Sequence, residues 1–233
     1  GEGIDRRVIT VVTQTVVDPS DHAFSRPSKP LSGAASQTPR ALSPGGPSKP
    51  IGPFYGEAEA KQLAAAEGWT VRPVNGGLFR RVVPSPAPLR VVEESSIRTL
   101  VDEGFVVIAA GGGGIPVVQD GAGNLTGIEA VIDKDLTAER LAAAIGAEVL
   151  LILTDVEQVS LGFGTPAERP IHTARAAEVR AWLREGRFPE GSMGPKMEAC
   201  ARFVEDGGRY AIVTSLEKAG EGLEGTAGTR IVP

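Results

Sequence analysis

The sequence predicts an α/β fold in which helices cover both faces of a mainly parallel β-sheet. Short apolar, β-branched runs alternate along the chain with helix-forming segments, which is the pattern of such a sheet. The run EVLLILTD at 148–155 is almost continuously apolar, as in a parallel strand that is covered on both faces. Ligands of these sheets bind at the carboxyl ends of the strands. The glycines at 111–114, Asp155 and Thr214-Ser215 occupy that position after three predicted strands.

The composition is that of a globular protein without a nucleic-acid or membrane partner. Hydrophobic residues make up 41% and charged residues 23% of the 233 residues, and the net charge is -5. This charge, without a Lys/Arg-rich block, disfavours a nucleic-acid surface. No apolar run approaches the roughly 20 residues of a membrane helix, and the sequence starts without a signal-peptide-like apolar region. Because Cys200 is the only cysteine, we expect no intramolecular disulfide and a cytoplasmic location.

The first predicted strand is RVITVVTQTVVD at 7–18. Its residues are apolar and β-branched and it ends at Asp18-Pro19, so we expect one buried strand. From 19 to 53 the composition shifts to Pro, Ser, Gly and Ala without periodicity, which predicts a long loop. PSKP occurs in this loop twice, at 27–30 and 47–50, which indicates an insertion between two copies of one motif.

We predict that the chain is a single domain spanning 1–233. A Pro-rich loop and a small lid lobe are expected within it at 18–90, and the spacer at 31–46 is expected to be disordered because it is low in apolar residues.

The remaining elements are predicted from helix formers, turn residues and apolar periodicity. Asn75-Gly76 between two β-branched runs predicts a hairpin, and Pro84, Pro86 and Pro88 predict an extended connector. Helices are predicted at 57–67, 93–103, 137–145, 174–184 and from about 196 to 204. Further strands are predicted at 105–110, 148–155 and 209–215.

The stretch VVIAAGGGGIPVV at 106–118 carries four consecutive glycines after an apolar strand. It is not a phosphate-binding P-loop, because no Gly-Lys-Ser/Thr follows the glycines. It also lacks the dinucleotide fingerprint, since Ile115-Pro116 rather than a helix follows Gly114. Two interpretations stay open, a corner between strands that needs positive φ angles and a site where backbone amides meet a small anion.

Lysines beside glycine-rich loops indicate phosphoryl-transfer chemistry. Lys134 lies in the string IDKD next to Asp135, Lys196 follows GSMGP at a predicted helix start, and Lys29 and Lys49 occupy the two PSKP copies. Phosphoryl transfer requires ammonium groups to neutralise charge, a carboxylate to orient them or to hold Mg²⁺, and amides around the oxygens. The competing interpretation is that each lysine is a solvated surface residue.

Several strings of the sequence together resemble one known family, the carbamate kinases. In chain order they are DPSDHAF, PSKPIGPFY, RRVVPSPAPLRVVE, AAGGGGIPVV, GIEAVIDKDLTAERLA, LLILTDVE, EGRFPEGSMGPKMEA and AIVTSLEKA. The resemblance implies the amino-acid-kinase fold, an αβα sandwich around a mainly parallel sheet. It also implies reversible phosphoryl transfer between ATP and carbamate, giving ADP and carbamoyl phosphate with Mg²⁺. Homodimers are implied as well, working in the ATP-forming direction in arginine breakdown.

The resemblance also implies roles for individual residues. Lys134 would contact the transferred phosphoryl group, and Asp135 would orient lysines or metal. Lys196 would bridge the nucleotide phosphates, and Lys49 would reach over the site from the lid lobe. Backbone amides would line the carbamate and phosphoryl pocket at Gly111, Gly112, Gly113 and Gly114. The residues implied to bind nucleotide are Asp155, Val156, Met193, Gly194 and Lys196. No side chain acts as a nucleophile, because carbamate attacks the phosphorus directly.

Two departures from the family pattern lead to further expectations. Glycine-rich loops resembling GGNAL and HGNGPQ, which open the family's chains, are absent from the sequence. We therefore expect that a large N-terminal part is missing, that the sheet has lost strands and that activity is impaired. The family's single PTKPIGP-like motif is split between the two PSKP copies. We expect Lys49 rather than Lys29 to be the functional copy, because IGPFY follows it.

Two other functions stay open beside carbamate kinase activity. One is another acyl-phosphate-forming kinase of the same fold, whose amino-acid substrate would need additional side-chain recognition. The other is an impaired fragment that only binds nucleotide or dimerises. His22 and His172 lie apart without neighbouring cysteines or carboxylate spacing, so no zinc site is predicted. Asp133 is predicted to cap a helix or to pair locally rather than to catalyse.

Overall fold

A computed structural model describes residues 5–25, 48–189 and 192–233. The helices are α1 (Glu57–Glu67), α2 (Glu94–Asp102), α3 (Lys134–Ile145), α4 (Ala176–Arg184), α5 (Met193–Glu205) and α6 (Ala219–Glu224). The strands of the first half are β1 (Val8–Thr10), β2 (Gln14–Val17), β3 (Lys49–Tyr55), β4 (Thr70–Pro73), β5 (Phe79–Val83), β6 (Pro88–Val91), β7 (Val106–Ile108), β8 (Ile115–Gln119) and β9 (Leu125–Gly127). Those of the second half are β10 (Val149–Thr154), β11 (Ser160–Leu161), β12 (Arg169–Pro170), β13 (Thr173–Arg175), β14 (Tyr210–Ser215) and β15 (Thr229–Val232). This alternation confirms the predicted α/β fold.

The sheet of the C-terminal half has the strand order β10-β14-β15-β13. β10 and β14 pair in parallel, as do β13 and β15, whereas the neighbours β14 and β15 are antiparallel. Both faces of β14 are covered. Ala211 and Val213 belong to the hydrophobic core that includes residues of α5, and Ile212 and Thr214 contact Gly222 of α6 on the other face. The covering of both faces that the sequence predicts from 148–155 is therefore observed at the neighbouring strand β14, whereas Leu153 of β10 is 39% exposed.

The N-terminal half contains a sheet of order β6-β2-β8-β9 and the separate pair β1-β7. β1 pairs in parallel with β7, and β2 pairs in parallel with β8. β6 and β9 lie at the edges of the four-stranded sheet and are antiparallel to their neighbours. The parallel pair β1-β7 is therefore followed along the sequence by the parallel pair β2-β8. The backbone bends between β1 and β2 and between β7 and β8.

The prediction of one buried strand over 7–18 is wrong, because residues 11–13 separate β1 from β2. Val8 is 63% and Val12 is 75% exposed, so the first part of this segment is also not buried. The bend is shaped by tertiary structure. Residues 11–13 run alongside the glycine turn between β7 and β8, since the Ile115 N–H donates to Thr13 O (2.8 Å). A β-branched composition predicts extended backbone but carries no information about such a bend.

The antiparallel sheet β3-β5-β4 and α1 pack together within 18–90, the range predicted to contain a lid lobe, and the name lid lobe is kept for them. The predicted hairpin is confirmed as β4 and β5, joined through a turn in which Gly76 has φ of 79°. The predicted helix α1 ends at Gly68 in the left-handed conformation. The loop predicted over 19–53 ends earlier than expected, because β3 begins at Lys49. Lys29, the first PSKP copy and the spacer at 31–46 lie outside the described residues.

Helices α3 and α4 both pack against α5 around the main core. On α5, Met197, Cys200 and Phe203 are at most 1% exposed, and burial raises the pKa of the Cys200 thiol far above its usual value. α3 also packs against β6 of the N-terminal sheet and β10 of the C-terminal sheet, and Lys49 of the lid lobe hydrogen-bonds to Asp133 at its N-terminus. Among the described residues, no helix is long and apolar enough to cross a membrane.

Candidate active site

The N-terminus of α3 is built by the string IDKD. Asp133 caps the helix, with its Oδ1 accepting from the Asp135 N–H (3.0 Å), and Lys134 is the first helical residue. The preceding residue, Ile132, is 1% exposed and holds the helix start against the core. The predicted local capping role of Asp133 is therefore confirmed, and helix α3 begins three residues before the predicted start at 137.

Three lysines from three parts of the chain meet at this helix terminus. The Lys196 Nζ donates to Asp135 Oδ2 (2.8 Å), and the Lys134 Nζ lies 3.4 Å from the same oxygen. The Lys49 Nζ donates to Asp133 Oδ2 (2.7 Å), although 84 residues separate the two in sequence. All the predicted lysines that the structure describes are thus brought together. Three ammonium groups against two carboxylates leave one net positive charge at the helix terminus, which itself attracts anions.

Burial differs strongly among these groups. The side chains of Lys196 and Asp135 are each 10% exposed, whereas that of Lys134 is 58% exposed and that of Lys49 is 28% exposed. Burial raises the pKa of the Asp133 carboxyl, but the hydrogen bond and positive charge of Lys49 outweigh it, and the pKa lies below its usual value. The site therefore consists of a buried ion pair and two lysines that solvent can reach.

The glycine turn between β7 and β8 is a tight corner. Ala110, Gly111, Gly113 and Gly114 all have positive φ angles, of 63°, 47°, 128° and 82°. A Cβ on Gly113 would lie 2.3 Å from the Ile132 carbonyl oxygen. The corner interpretation is therefore supported by both backbone conformation and close approach.

Most backbone N–H groups of this turn donate hydrogen bonds to carbonyl oxygens of the turn itself. The N–H of Gly111 donates to Ala109 O, and those of Gly113 and Gly114 donate to Ala110 O. Within the described residues, only the Gly112 N–H of the four lacks an acceptor. Donors that close a corner cannot also bind an anion with full strength. The binding role of the four glycines stays a prediction, and Gly112 has the amide best suited to it.

Three buried threonines hold the turn in place, and the sequence did not reveal them. Thr13 Oγ1 accepts from the Ala110 N–H (2.9 Å). The hydroxyls of Thr15 and Thr137 both donate to Gly113 O, at 2.9 and 3.0 Å. Thr137 lies one turn after the helix start, so it ties the glycine turn to the lysine cluster. No local pattern links Thr15 or Thr137 to glycines so far away in sequence.

Two cavities lie near the cluster. The larger, about 520 Å³, is lined by 10–13, by Ile108 to Gly112, by Gly114 to Pro116 and by 130–132. The smaller, about 170 Å³, is lined by Thr154, Asp155, Val156, Gln158, Val159, Ser160, Phe163, Pro189, Ser192, Met193 and Lys196. Ile132 in the wall of the larger cavity directly precedes Asp133, and Lys196 in the wall of the smaller one pairs with Asp135.

Most residues predicted to bind nucleotide share the smaller cavity. Asp155 and Val156 follow β10, and Met193 and Lys196 lie in the first turns of α5. Gly194 occupies the same turn of α5, where its N–H donates to Pro189 O (3.1 Å). Phe163, which is 62% exposed at this cavity, was not predicted. It lies in a loop whose sequence has no periodic pattern.

Known proteins of one family are similar to this chain. The amino acid kinase family matches residues 39–215. The carbamate kinase of Pyrococcus horikoshii is 45% identical over 231 residues, covering 99% of this chain and 67% of its own length. The carbamate kinase of Clostridium perfringens is 43% identical with the same coverage. The structure of Giardia lamblia carbamate kinase bound to AMP-PNP has a TM-score of 0.80 and 39% identity, over 97% of this chain and 66% of that one.

The chain therefore belongs to the amino acid kinase family, a class of phosphotransferases. Relatives that match nearly its whole length include carbamate kinases, which confirms the predicted family and fold. The chain spans about two thirds of the length of these relatives. The roles of individual site residues stay predictions.

Proposed function

We propose that the protein transfers a phosphoryl group reversibly between ATP and carbamate, forming ADP and carbamoyl phosphate. The observation that carries this proposal is the convergence of Lys49, Lys134 and Lys196 with two aspartates at the N-terminus of α3, where Lys196 also lines the smaller cavity. Such an arrangement neutralises a phosphoryl group in transfer and offers it no protein nucleophile.

The exposures of the lysines support a division of labour. Lys134 is the most exposed of the three and reaches the transferred group. Lys196 lies in the wall of the smaller cavity, so it meets the phosphates of a nucleotide bound there. Asp135 accepts from Lys196 and lies beside Lys134, and it holds both ammonium groups toward the same point. Carbamate attacks phosphorus directly, and the chain positions and neutralises the reacting groups.

We place the nucleotide in the smaller cavity and carbamate on the side of the glycine turn. Asp155, Val156, Met193 and Phe163 surround the first position, and the bound AMP-PNP of the Giardia lamblia carbamate kinase supports a nucleotide as ligand. In the wall of the larger cavity, the Gly112 N–H, which has no acceptor among the described residues, is available for an oxygen of carbamate or of the phosphoryl group.

Mg²⁺ is proposed to enter with the nucleotide. This ion usually keeps several waters and binds through substrate phosphates and one or two carboxylates. The described residues hold no group of three or more metal-binding side chains, but Asp155 presents a carboxylate in the wall of the nucleotide cavity. These residues fit an ion carried by phosphates, which would supply further charge neutralisation. Its binding is testable as a Mg²⁺ dependence of nucleotide affinity, and Asp155→Asn should weaken that dependence.

Three further features are proposed on the family resemblance: a homodimeric state, a cytoplasmic location and the ATP-forming direction in arginine breakdown. The two competing functions make different predictions. An amino-acid kinase would phosphorylate glutamate or aspartate, and a nucleotide-binding module would bind ADP without turnover.

The test is a coupled assay in which ADP and carbamoyl phosphate form ATP, detected by luciferase. Acetyl phosphate in place of carbamoyl phosphate is the control for non-specific phosphoryl transfer, and calorimetric titration with ADP measures binding separately. We expect ATP formation that depends on carbamoyl phosphate, at a reduced rate, because glycine-rich loops resembling GGNAL and HGNGPQ are absent from the sequence. ADP binding without ATP formation would favour the binding module, and phosphorylation of glutamate or aspartate but not carbamate would favour the other kinase.

A further inference from the structure

The lid lobe and the helix of the lysine cluster meet through one ion pair. Lys49 is the first residue of β3, and its backbone position is fixed by pairing with Val83 of β5, which is 3% exposed. The Ser48 N–H also donates to Val83 O (3.0 Å). From this anchored strand the Lys49 side chain extends to Asp133 at the start of α3 (2.7 Å).

Asp133 uses its two oxygens for two different partners. Oδ1 accepts from the Asp135 N–H and caps α3, while Oδ2 accepts from the Lys49 ammonium. The residue is 6% exposed, so its charge needs a partner. Only an aspartate satisfies both contacts, because asparagine would turn its NH₂ group toward the lysine and serine would be too short to reach it.

The two aspartates of IDKD thus serve different lysines. Asp135 holds Lys134 and Lys196, both of the main body, whereas Asp133 holds Lys49 of the lid lobe. An ammonium group has three donors. Among the described residues, Asp133 is the one acceptor of Lys49, so two of its N–H groups remain for the oxygens of a ligand.

We propose that Asp133 is a positioning residue, which places the Lys49 ammonium for the phosphoryl group in transfer. This inference rests on the proposed function and extends it to a residue expected only to cap the helix. Without the Asp133 charge, Lys49 would face two other lysines and only one neighbouring carboxylate, and repulsion would move it away. Displacement of a catalytic group by about 1 Å can cost about 100-fold in rate.

The test is a kinetic double-mutant cycle with Asp133→Asn, Lys49→Met and the double variant, assayed for ATP formation from ADP and carbamoyl phosphate. Asp133→Asn retains an oxygen for the helix cap and removes the charge. We expect each single variant to lower kcat about 10-fold or more, with little change in KM for ADP, because the nucleotide cavity lies beside Lys196. In the Lys49→Met background, Asp133→Asn should cause no further loss, since Asp133 acts through Lys49.

Independent losses that multiply in the double variant would overturn the proposal, as would a change in KM for ADP alone. An inactive wild-type protein would instead overturn the proposed function, and this inference with it. Glu57→Gln is the matched control, because it breaks the exposed Lys61–Glu57 pair of the same lobe and should leave kcat unchanged. If Asp133→Asn does not fold, Asp133→Ser, which also caps helices, takes its place in the cycle.

Discussion

Replacement of Asp135 by asparagine should reveal how strongly the buried ion pair holds the site together. The Lys196 Nζ lies 2.8 Å from Asp135 Oδ2, and both side chains are 10% exposed. At an effective dielectric constant of about 20, the attraction at this distance is about 6 kcal/mol before the cost of desolvation. The measured cost of removing one partner from a buried pair is about 3–5 kcal/mol, because the other charge stays buried alone.

We therefore expect Asp135→Asn to lower the free energy of unfolding by about 3 kcal/mol or more and the kinase rate at least 100-fold. The assay is urea unfolding followed by circular dichroism, with ATP formation measured on the same samples. Glu57→Gln, at an exposed pair, should change neither quantity measurably. A loss of less than about 1 kcal/mol would refute the reasoning, because it would mean that the variant does not leave the Lys196 charge buried and unpaired.

Three further predictions concern the glycine turn and the helix cap. Gly113→Ala should destabilise the fold by about 3 kcal/mol or more in urea unfolding, because its Cβ would meet the Ile132 carbonyl. Gly112→Ala, where nothing lies within 4 Å, should cost about 1 kcal/mol or less, and equal losses would contradict the geometry. Thr137→Val should lower the free energy of unfolding by about 1 kcal/mol. The double variant with Thr15→Val should lose more than the two single variants added together, because Gly113 O then loses both donors. Additive losses would argue against the shared carbonyl. The lowered pKa of Asp133 gives stability that is present above the unfolded value of about 3.9 and lost as pH falls through the folded value. The difference in unfolding free energy between wild type and Asp133→Asn should therefore shrink from pH 6 to pH 3, and a constant difference would contradict this.

Much of the fold could be predicted from local sequence. The helices α1, α2, α4 and α5 and the strands β10 and β14 lie close to the predicted ranges, because they carry clear periodicity and glycine stops. The bend between β1 and β2 could not be predicted, since it follows a glycine turn about 100 residues later. The antiparallel placement of β15 beside β14 likewise depends on packing across the sheet.

The candidate site was predictable in its charges but not in its contacts. Lys196 and Lys49 could be selected because they lie in glycine-rich or proline-rich strings, and Lys134 because it stands between two aspartates. The structure brings the three lysines together. The engagement of three glycine amides within the turn was not predictable, since spacing does not reveal which donors a corner uses. The pairing of Lys49 with Asp133 was also missed, because it joins two lobes that are distant in sequence.

The most direct test of the central claim is the rate of ATP formation from ADP and carbamoyl phosphate by the wild-type chain and by Lys134→Ala. The Lys134 side chain is 58% exposed, so its loss should leave the fold intact. We predict carbamoyl-phosphate-dependent ATP formation by the wild type and a loss of at least about 100-fold in the variant, as expected when a charge partner of the transition state is removed. An inactive wild type, or a variant within about twofold of it, would contradict the account.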